Sequence, residues 1–178
     1  MRKFFVLFLL ALMYSNAFAL KYYTGIGLRA GKFNTGLTFK HFYNPDNATG
    51  LQLDAYYSNI ISGGYIVKGF AIKQIPVKIP IIQLPLDIIL GAGLEVGYFP
   101  YRKDPVYIGY YKLKNKRPEQ YGKSVVVAGV DATVQVEYQV PFKIAPVTVG
   151  LDVNPFFMFY HRGPEWIDFG VALRYVFR

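Results

Sequence analysis

Apolar and polar residues alternate with a period of two along most of the chain after residue 20. Such alternation over about ten residues, bounded by Gly, Pro, Asn and Lys clusters, is typical of β-strands with one apolar and one polar face. Helical periodicity is nearly absent. Eight segments follow the strand pattern, an even number that lets an antiparallel sheet close on itself. The predicted strands are 22–31, 36–42, 51–58, 65–74, 86–99, 125–140, 147–160 and 167–177.

The connections between these strands differ on the two sides of the predicted sheet. On one side lie 44–50, 75–85 and 141–146, and on the other lie a very short link at 32–35 and a long loop at 100–124. Membrane barrels have tight turns on the periplasmic side and more variable loops outside. Two inner connections share the pattern Q-x-P-x-K-I, at 74–79 and 139–144. Because proline cannot donate to a ladder, we interpret both as strand ends followed by turns.

Residue parity assigns an apolar and a polar face to seven of the eight strands. The apolar faces hold no charged residue, whereas the polar faces contain seven of the chain's 11 acidic residues. The polar face of strand 65–74 cannot be identified in this way, because Lys68 and Lys73 have opposite parity and so lie on opposite faces. The charged residues on the polar faces, predicted to form a lumen network, are Arg29, Lys40, Asp54, Asp87, Glu95, Asp131, Glu137, Asp152, Asp168 and Arg174.

Two closed sheets account for this pattern: a soluble ligand-binding barrel with the apolar faces inside, and a membrane barrel with those faces against lipid. Three observations favour the membrane barrel. The polar faces are rich in glycine, which suits a narrow lumen crowded by charged side chains, and the chain carries an export signal. Aromatics also gather at both ends of the apolar faces, like interfacial girdles. They are Tyr22, Tyr138, Tyr175 and Phe177 at one rim and Tyr57, Tyr98, Phe157 and Phe159 at the other.

The predicted fold class is therefore all-β, an eight-stranded antiparallel up-and-down transmembrane β-barrel with a polar, side-chain-filled lumen. The export signal is MRKFFVLFLLALMYSNAFA, where a basic start precedes an apolar run and Ala17-Phe18-Ala19 fits a cleavage site. We predict a cleaved signal peptide at 1–19 and a single barrel domain at 20–178, with an N-terminal membrane anchor as the alternative. Loss of Arg2 and Lys3 lowers the net charge from +9 to +7, and the chain has no cysteine for disulfide or thiol chemistry.

The C-terminal segment WIDFGVALRYVFR carries the most specific resemblance to a known family. Its alternating apolar residues, leading to a terminal aromatic, resemble the signal that the outer-membrane assembly machinery reads in the small eight-stranded outer-membrane β-barrel proteins of Gram-negative bacteria. Arg178 departs from that signal, which usually ends on the aromatic. The stretches GLTFKHF (36–42) and GLDVNPFF (150–157) resemble parts of similar barrels. The resemblance covers 20–178 and implies a fold and an outer-membrane location. The matching signal residues are Phe169, Val171, Leu173, Tyr175 and Phe177.

Seven carboxylates inside an eight-stranded barrel need partners, because such a lumen is narrow enough for side chains to fill and unpaired buried charges are costly. The available cations are Arg29, Lys40 and Arg174, with Lys68 a fourth if it points inward. We predict the ion pairs Arg29–Asp168 and Lys40–Asp54. The lumen is interpreted as a structural polar plug, with a proton or ion path and a cation site among the surplus acids as alternatives.

The loop at 102–123, RKDPVYIGYYKLKNKRPEQYGK, is the most basic segment of the chain. Seven basic and two acidic residues give it a net charge of +5, and tyrosines lie between them. Basic residues interleaved with aromatics bind polyanions, and at an outer surface these are lipopolysaccharide or capsule. No nucleic-acid motif accompanies the loop; the alternative is a solvated loop contacting lipid head groups. The basic residues are Arg102, Lys103, Lys112, Lys114, Lys116, Arg117 and Lys123.

Candidate catalytic residues are few. Lipid A deacylases use a His-x-Ser pair with a carboxylate, and neither His41 nor His161 has that serine. His161, near Glu165, is the best candidate base, and no spacing indicates a metal or cofactor. We expect a non-enzymatic outer-membrane barrel with a structural or surface-interaction role. Its expected partners are outer-membrane lipid and lipopolysaccharide, the assembly machinery and a protein in the membrane. The alternatives are an accessory subunit of a larger outer-membrane complex and a lipid A-modifying barrel enzyme.

Overall fold

Eight long strands form a closed barrel in which each strand pairs antiparallel with both neighbours. The computed structural model describes residues 22–44, 48–58, 63–78, 85–100, 107–108, 111–112, 124–140, 144–159 and 166–177. The strands are β1 (Thr24–Gly31), β2 (Asn34–Asn44), β3 (Thr49–Ser58), β4 (Gly64–Lys78), β5 (Pro85–Phe99), β6 (Tyr107–Ile108), β7 (Tyr111–Lys112), β8 (Val125–Gln139), β9 (Val147–Met158) and β10 (Trp166–Phe177). The two-residue strands β6 and β7 pair only with each other, and β1 closes the barrel against β10. The predicted eight-stranded antiparallel barrel is confirmed.

Side chains along the barrel strands alternate between a buried inward face and an exposed outward face, and the outward faces are predominantly apolar. On β5, Leu94 is 65% exposed while the next residue, Glu95, is 1% exposed. On β4, Lys68 points inward and Lys73 outward, which resolves the strand whose parity was ambiguous. Most water-soluble proteins bury such apolar surface, so this barrel has the inverse arrangement.

Glycines on the inward face leave room for large side chains. Gly31 and Gly170 lie opposite each other across the closing pair of strands. A methyl group at Gly170 would lie 2.5 Å from Cζ of Arg29, and one at Gly31 would lie 2.5 Å from its Nη1 atom. Real Cβ atoms do not approach other atoms so closely, so this glycine pair creates the space that the Arg29 guanidinium occupies.

Apolar side chains close the lumen at the end where Tyr22 and Phe177 lie, called the Tyr22 end. They form one buried cluster, in which the rings of Tyr22 and Phe42 pack edge to face with centroids 5.6 Å apart. The prediction that Tyr22 belongs to the outward aromatic rim is wrong, because its ring turns into the lumen and is 1% exposed. The cluster consists of Tyr22, Phe42, Phe70, Ile72, Ile89 and Val176.

A second group of buried apolar residues lies at the opposite end, called the Phe99 end. A methyl group at Gly97 would lie 2.9 Å from Phe99, 3.0 Å from Val127 and 3.1 Å from Ile66, so these three side chains converge. Tyr56, buried near this end of β3, also points inward. The charged middle of the lumen is therefore flanked by apolar side chains on both sides.

Strand β4 continues through Pro76 to Lys78, so the interpretation of 74–79 as a turn is wrong. The Gln74 N–H donates to the Ala48 carbonyl on the β3 side of the strand. The nitrogen of Pro76, two residues further, faces the same side, where β3 has already ended opposite Lys73. Proline is tolerated because the ladder with β3 has ended before this position, and β4 continues by pairing with β5. Of the related segment 139–144, only Gln139, Val140 and Ile144 are described.

The ladder between β8 and β9 lacks two pairs near the middle of β8. Within these described strands, two successive pairs are missing from an otherwise continuous register, Ala132–Pro155 and Thr133–Asn154. The Phe159 N–H donates to the Ala128 carbonyl at 2.8 Å. The nitrogen of Pro155 therefore faces the same way, towards the Ala132 carbonyl, and it has no hydrogen to donate. Both missing pairs require that one donor, so Pro155 accounts for their absence.

Candidate functional site

The lumen collects all ten charged residues that the sequence assigned to the polar faces, together with Lys68. None of the eleven is more than 5% exposed. Alternation in the strands directs them inward, and nine of them form three clusters around Arg29, Lys68 and Glu137; Asp54 and Asp87 lie outside these clusters. Buried charges are stable only when paired and hydrogen-bonded, so the partners of each cluster determine what the lumen can do.

In the first cluster, Arg29 of β1 reaches two acids on β9 and β10. Its Nε atom donates to Asp152 Oδ1 at 2.9 Å, and its Nη2 atom makes a second, shorter bond to the same oxygen. Its Nη1 atom donates to Asp168 Oδ2 at 2.8 Å, so the predicted Arg29–Asp168 ion pair is present. Nη1 also donates to the Asn34 carbonyl, and the guanidinium lies 5.3 Å from the Tyr56 ring centroid. The planar guanidinium thereby connects β1 to β2, β9 and β10 through hydrogen bonds, and it also contacts the Tyr56 ring.

In the second cluster, Lys68 of β4 lies between Glu95 of β5 and Asp131 of β8. Its ammonium is 3.1 Å from Glu95 Oε2 and forms a short ion pair with Asp131 Oδ2. The same ammonium lies 4.7 Å from the ring centroid of Phe156. One cation therefore serves two carboxylates, which leaves this cluster with a surplus of negative charge when both are ionised.

In the third cluster, Glu137 of β8 accepts from three donors. Its Oε2 atom is 2.8 Å from Lys40 Nζ and 3.0 Å from Arg174 Nη1, and its Oε1 atom accepts from the Tyr22 hydroxyl. Here one acid serves two cations, the reverse of the other clusters. The Tyr22 bond also ties the charged layer to the apolar cluster at that end of the barrel.

The predicted Lys40–Asp54 ion pair is wrong. Among the described side chains, Lys40 forms its ion pair with Glu137 and a hydrogen bond of 3.2 Å with Gln135, both on β8. The register places Gln52, not Asp54, opposite Lys40, and Gln52 donates to Asp54 Oδ2 at 2.8 Å. The amide of Gln52, rather than the ammonium of Lys40, therefore binds Asp54. The Lys40 side chain instead crosses the lumen to acceptors on β8.

The lumen holds more acids than cations. Four cationic side chains meet seven carboxylates, so full ionisation would leave three negative charges in excess. Several carboxylate oxygens, including Asp131 Oδ1 and Glu95 Oε1, have no hydrogen-bond partner among the described residues. Within the same residues, no group of three or more His, Asp or Glu side chains could hold a metal ion.

Several predicted residues cannot be placed in this site. The signal peptide at 1–19, His161, Arg178 and most of the basic loop lie outside the described residues; of the basic residues of that loop only Lys112 is included, as a backbone position in β7. His41 is exposed near the Tyr22 end, where its Nδ1 atom lies 2.9 Å from Thr24 Oγ1. The five residues of the assembly signal, Phe169, Val171, Leu173, Tyr175 and Phe177, are 46–55% exposed on the outward face of β10.

The cleft beside Pro155 is a feature that sequence reasoning missed, although a proline inside a predicted central strand was a usable signal. Its volume is about 340 Å³. It lies on the barrel wall beside the two missing β8–β9 pairs, and the side chain of Asp131 stays enclosed in the lumen. The lining residues are Val130, Asp131, Ala132, Pro155, Phe156 and Phe157.

Within the residues that the structure describes, no helix has the length and apolar character to cross a membrane. A scan of the sequence against protein-family models finds no match, and a search of the curated proteins finds no relative.

Proposed function

We propose that this protein is a bacterial outer-membrane β-barrel with a structural or surface-interaction role and no open pore. One observation carries the proposal: the barrel is apolar outside and charged inside. A closed barrel satisfies its backbone hydrogen bonds without water, so it is the one β architecture suited to a lipid bilayer. In water, the same outward face would leave Leu28, Leu94 and Leu151 each more than 60% exposed.

The aromatic residues at the two barrel ends support a membrane orientation. Tyr175 and Phe177 are exposed at one end with ring centroids 5.0 Å apart, and Phe157 and Phe159 are exposed at the other with centroids 6.0 Å apart. Rings at this level fit the two membrane interfaces. We infer that the Tyr22 end faces the periplasm. The connections at that end, at 44–50, 75–85 and 141–146, correspond to the periplasmic turns expected of an outer-membrane barrel.

The filled lumen supports a role other than solute passage. The three ionic clusters span the barrel from β1 to β10, and apolar residues flank them at both ends. An ion that crossed would have to break buried ion pairs and pass through apolar layers, which is costly at each step.

Cell fractionation combined with gel mobility before and after boiling tests the location. We expect recovery in the outer-membrane fraction and a mobility change on boiling, because a folded barrel resists detergent until it is heated. A soluble periplasmic protein without such a change would overturn the proposal. Planar bilayer recording tests the closed lumen, and we expect no stepwise conductance from the purified barrel, with a known porin as the positive control.

We further propose that the basic loop at 102–123 contacts lipopolysaccharide phosphates. Its charge of +5 would form charge-assisted contacts with phosphate, and its tyrosines would lie at the head-group level. Replacing Lys112, Lys114, Lys116 and Arg117 by glutamine should weaken lipopolysaccharide binding, whereas the single change Lys73→Gln on the barrel wall should not. Equal binding by wild type and the loop variant would exclude this contact.

A further inference from the structure

Glu95 and Asp131 are two enclosed acids that share one cation. The register places Lys68 directly opposite Glu95, and the Lys68 ammonium contacts both Glu95 Oε2, at 3.1 Å, and Asp131 Oδ2. The side chains of both acids are 0% exposed. If both acids were ionised, the cluster would carry one negative charge that no cation within it balances, in a place that water does not reach.

A glycine on β8 brings the two carboxyl groups side by side. Glu95 lies opposite Gly129, which precedes Asp131 by two positions and shares its inward face. A methyl group at Gly129 would lie 2.7 Å from Glu95 Oε1 and 3.0 Å from its Cγ atom, so the glycine leaves the space that the Glu95 carboxyl occupies. The two carboxyl groups thereby come within hydrogen-bonding reach of each other.

The atoms that meet in this pair are all acceptors when both acids are ionised. Glu95 Oε1 and Asp131 Oδ1 have no hydrogen-bond partner among the described residues. Two neighbouring carboxylates repel each other, and a proton on either one turns the pair into a donor and an acceptor. The arrangement of the oxygens therefore fits one proton between the two acids.

The surroundings of the pair are apolar. Lys68 lies between Ile66 and Phe70 on the inward face of β4, and each of these side chains is 1% exposed. The ammonium itself lies 4.7 Å from the centroid of the Phe156 ring. Apolar neighbours do not solvate a surplus charge, so they favour the protonated form of a carboxyl pair.

The other charged groups of the described lumen do not neutralise the pair. Asp54 lies opposite Lys68 in the register and adds a third acid on this side. The cations outside the cluster bind other acids: Arg29 binds Asp152 and Asp168, and Lys40 and Arg174 bind Glu137. The remaining described titratable groups that point into the lumen are Tyr22 at the Tyr22 end, Tyr56 on β3 and Asp87 on β5. A metal ion is disfavoured, because the described residues contain no group of three suitable ligands.

We propose that Glu95 and Asp131 hold one proton between them, which is taken up from water as the barrel folds and is then enclosed in the lumen. The proton leaves one negative charge, which Lys68 balances. It belongs to the pair, because strongly interacting acids titrate together. The stability of the barrel thereby depends on pH above the range in which ordinary carboxyl groups titrate. Only the closed barrel is needed for this site, which goes beyond the proposed function and does not depend on the membrane location.

Infrared spectroscopy of the folded barrel in uncharged dodecyl maltoside micelles detects such a proton directly. A protonated carboxyl has a carbonyl band above the amide I region, where an ionised carboxylate has none. At about pH 6, where carboxyl groups in water are ionised, the wild type should show this band. Glu95→Gln and Asp131→Asn should each lose it in difference spectra, because either change leaves Lys68 with one ionised acid. Asp54→Asn is the matched control and should keep the band, since Asp54 is equally buried but binds Gln52.

Urea unfolding at different pH values counts the proton. The folded barrel holds one proton that the unfolded chain releases, so a rise in pH favours unfolding until the folded pair is also deprotonated. Between about pH 5.5 and 7, the unfolding equilibrium constant of the wild type should rise about tenfold more per pH unit than that of Glu95→Gln or Asp131→Asn. Asp54→Asn should keep the wild-type dependence.

A wild-type spectrum without the band, or a band that either Glu95→Gln or Asp131→Asn keeps, would overturn the proposal. Loss of the band in Asp54→Asn would assign the proton to that acid instead and refute the shared site. A water molecule between the two acids would give neither the band nor the pH dependence. Should both variants fail to fold, the wild type still decides, because unfolding independent of pH would exclude the proton. Fractionation tests the membrane location separately, so the two proposals can fail independently.

Discussion

Neutralising Glu137 is the sharpest test of the lumen network, because two cations depend on this one acid. Glu137→Gln keeps the size of the side chain and one acceptor oxygen while removing the charge. Lys40 at 2.8 Å and Arg174 at 3.0 Å would then lie together without their shared anion. All three side chains are at most 1% exposed, so water cannot replace the lost charge.

Removing one partner of a buried ion pair costs about 3–5 kcal/mol of folding free energy. Two cations rather than one lose their partner here, so we expect Glu137→Gln to fall in the upper part of that range. Asp54→Asn is the matched control. Asp54 is equally buried but accepts from the neutral amide of Gln52, and the lumen already has surplus acid, so its loss should be under about 1 kcal/mol.

Urea unfolding of the barrel in lipid vesicles measures both changes, with the mobility of the unboiled protein and the fluorescence of Trp166, the single tryptophan, as probes. Lys40→Met added to Glu137→Gln should recover part of the loss, because it removes one of the two stranded cations. Equal losses for Glu137→Gln and Asp54→Asn would refute the reasoning, since they would show that charge pairing does not distinguish the two acids.

Other substitutions test further features. Arg29→Lys keeps the charge but loses the fork that binds Asp152 and Asp168, so unfolding free energy should fall by about 1–3 kcal/mol; a wild-type urea midpoint would show that the fork is unimportant. Gly170→Ala, whose methyl would lie 2.5 Å from Arg29, should cost about 1–3 kcal/mol, whereas Gly150→Ala, with its nearest neighbour at 3.6 Å, should be nearly neutral in the same assay. Phe177→Ala should lower the fraction of heat-modifiable barrel in cells more than Ile167→Ala at the other end of β10, and equal fractions would count against a terminal assembly signal.

The fold was predictable because each strand separates apolar from polar residues with a period of two. Parity alone therefore located the charged lumen residues, and only the strand with lysines on both parities stayed unresolved. Strand ends were less predictable. Pro76 is compatible with β4 only because β3 has ended on that side, and this is a property of the register, which a single strand's sequence does not contain.

The partners of the lumen residues were harder to predict than their direction. Arg29 and Asp168 were found because β1 and β10 are adjacent in a closed barrel. Lys40 and Glu137, in contrast, meet across the lumen from strands that are not neighbours, 97 positions apart in sequence. Apolar residues such as Phe42 and Ile72, scattered among polar ones on the inward faces, gave no sign that they would gather into a layer.

The Arg29 cluster has a consequence for how the barrel folds. Arg29 and Asp168 are 139 positions apart, and they meet only when β1 and β10 join as the final seam of the sheet. Closing so long a loop is entropically costly, so contacts across the seam form late, after the transition state for folding. Weakening them should leave the folding rate nearly unchanged and speed unfolding. The ion pairs of Arg29 with its two acids therefore slow unfolding, and they determine the lifetime of the closed barrel.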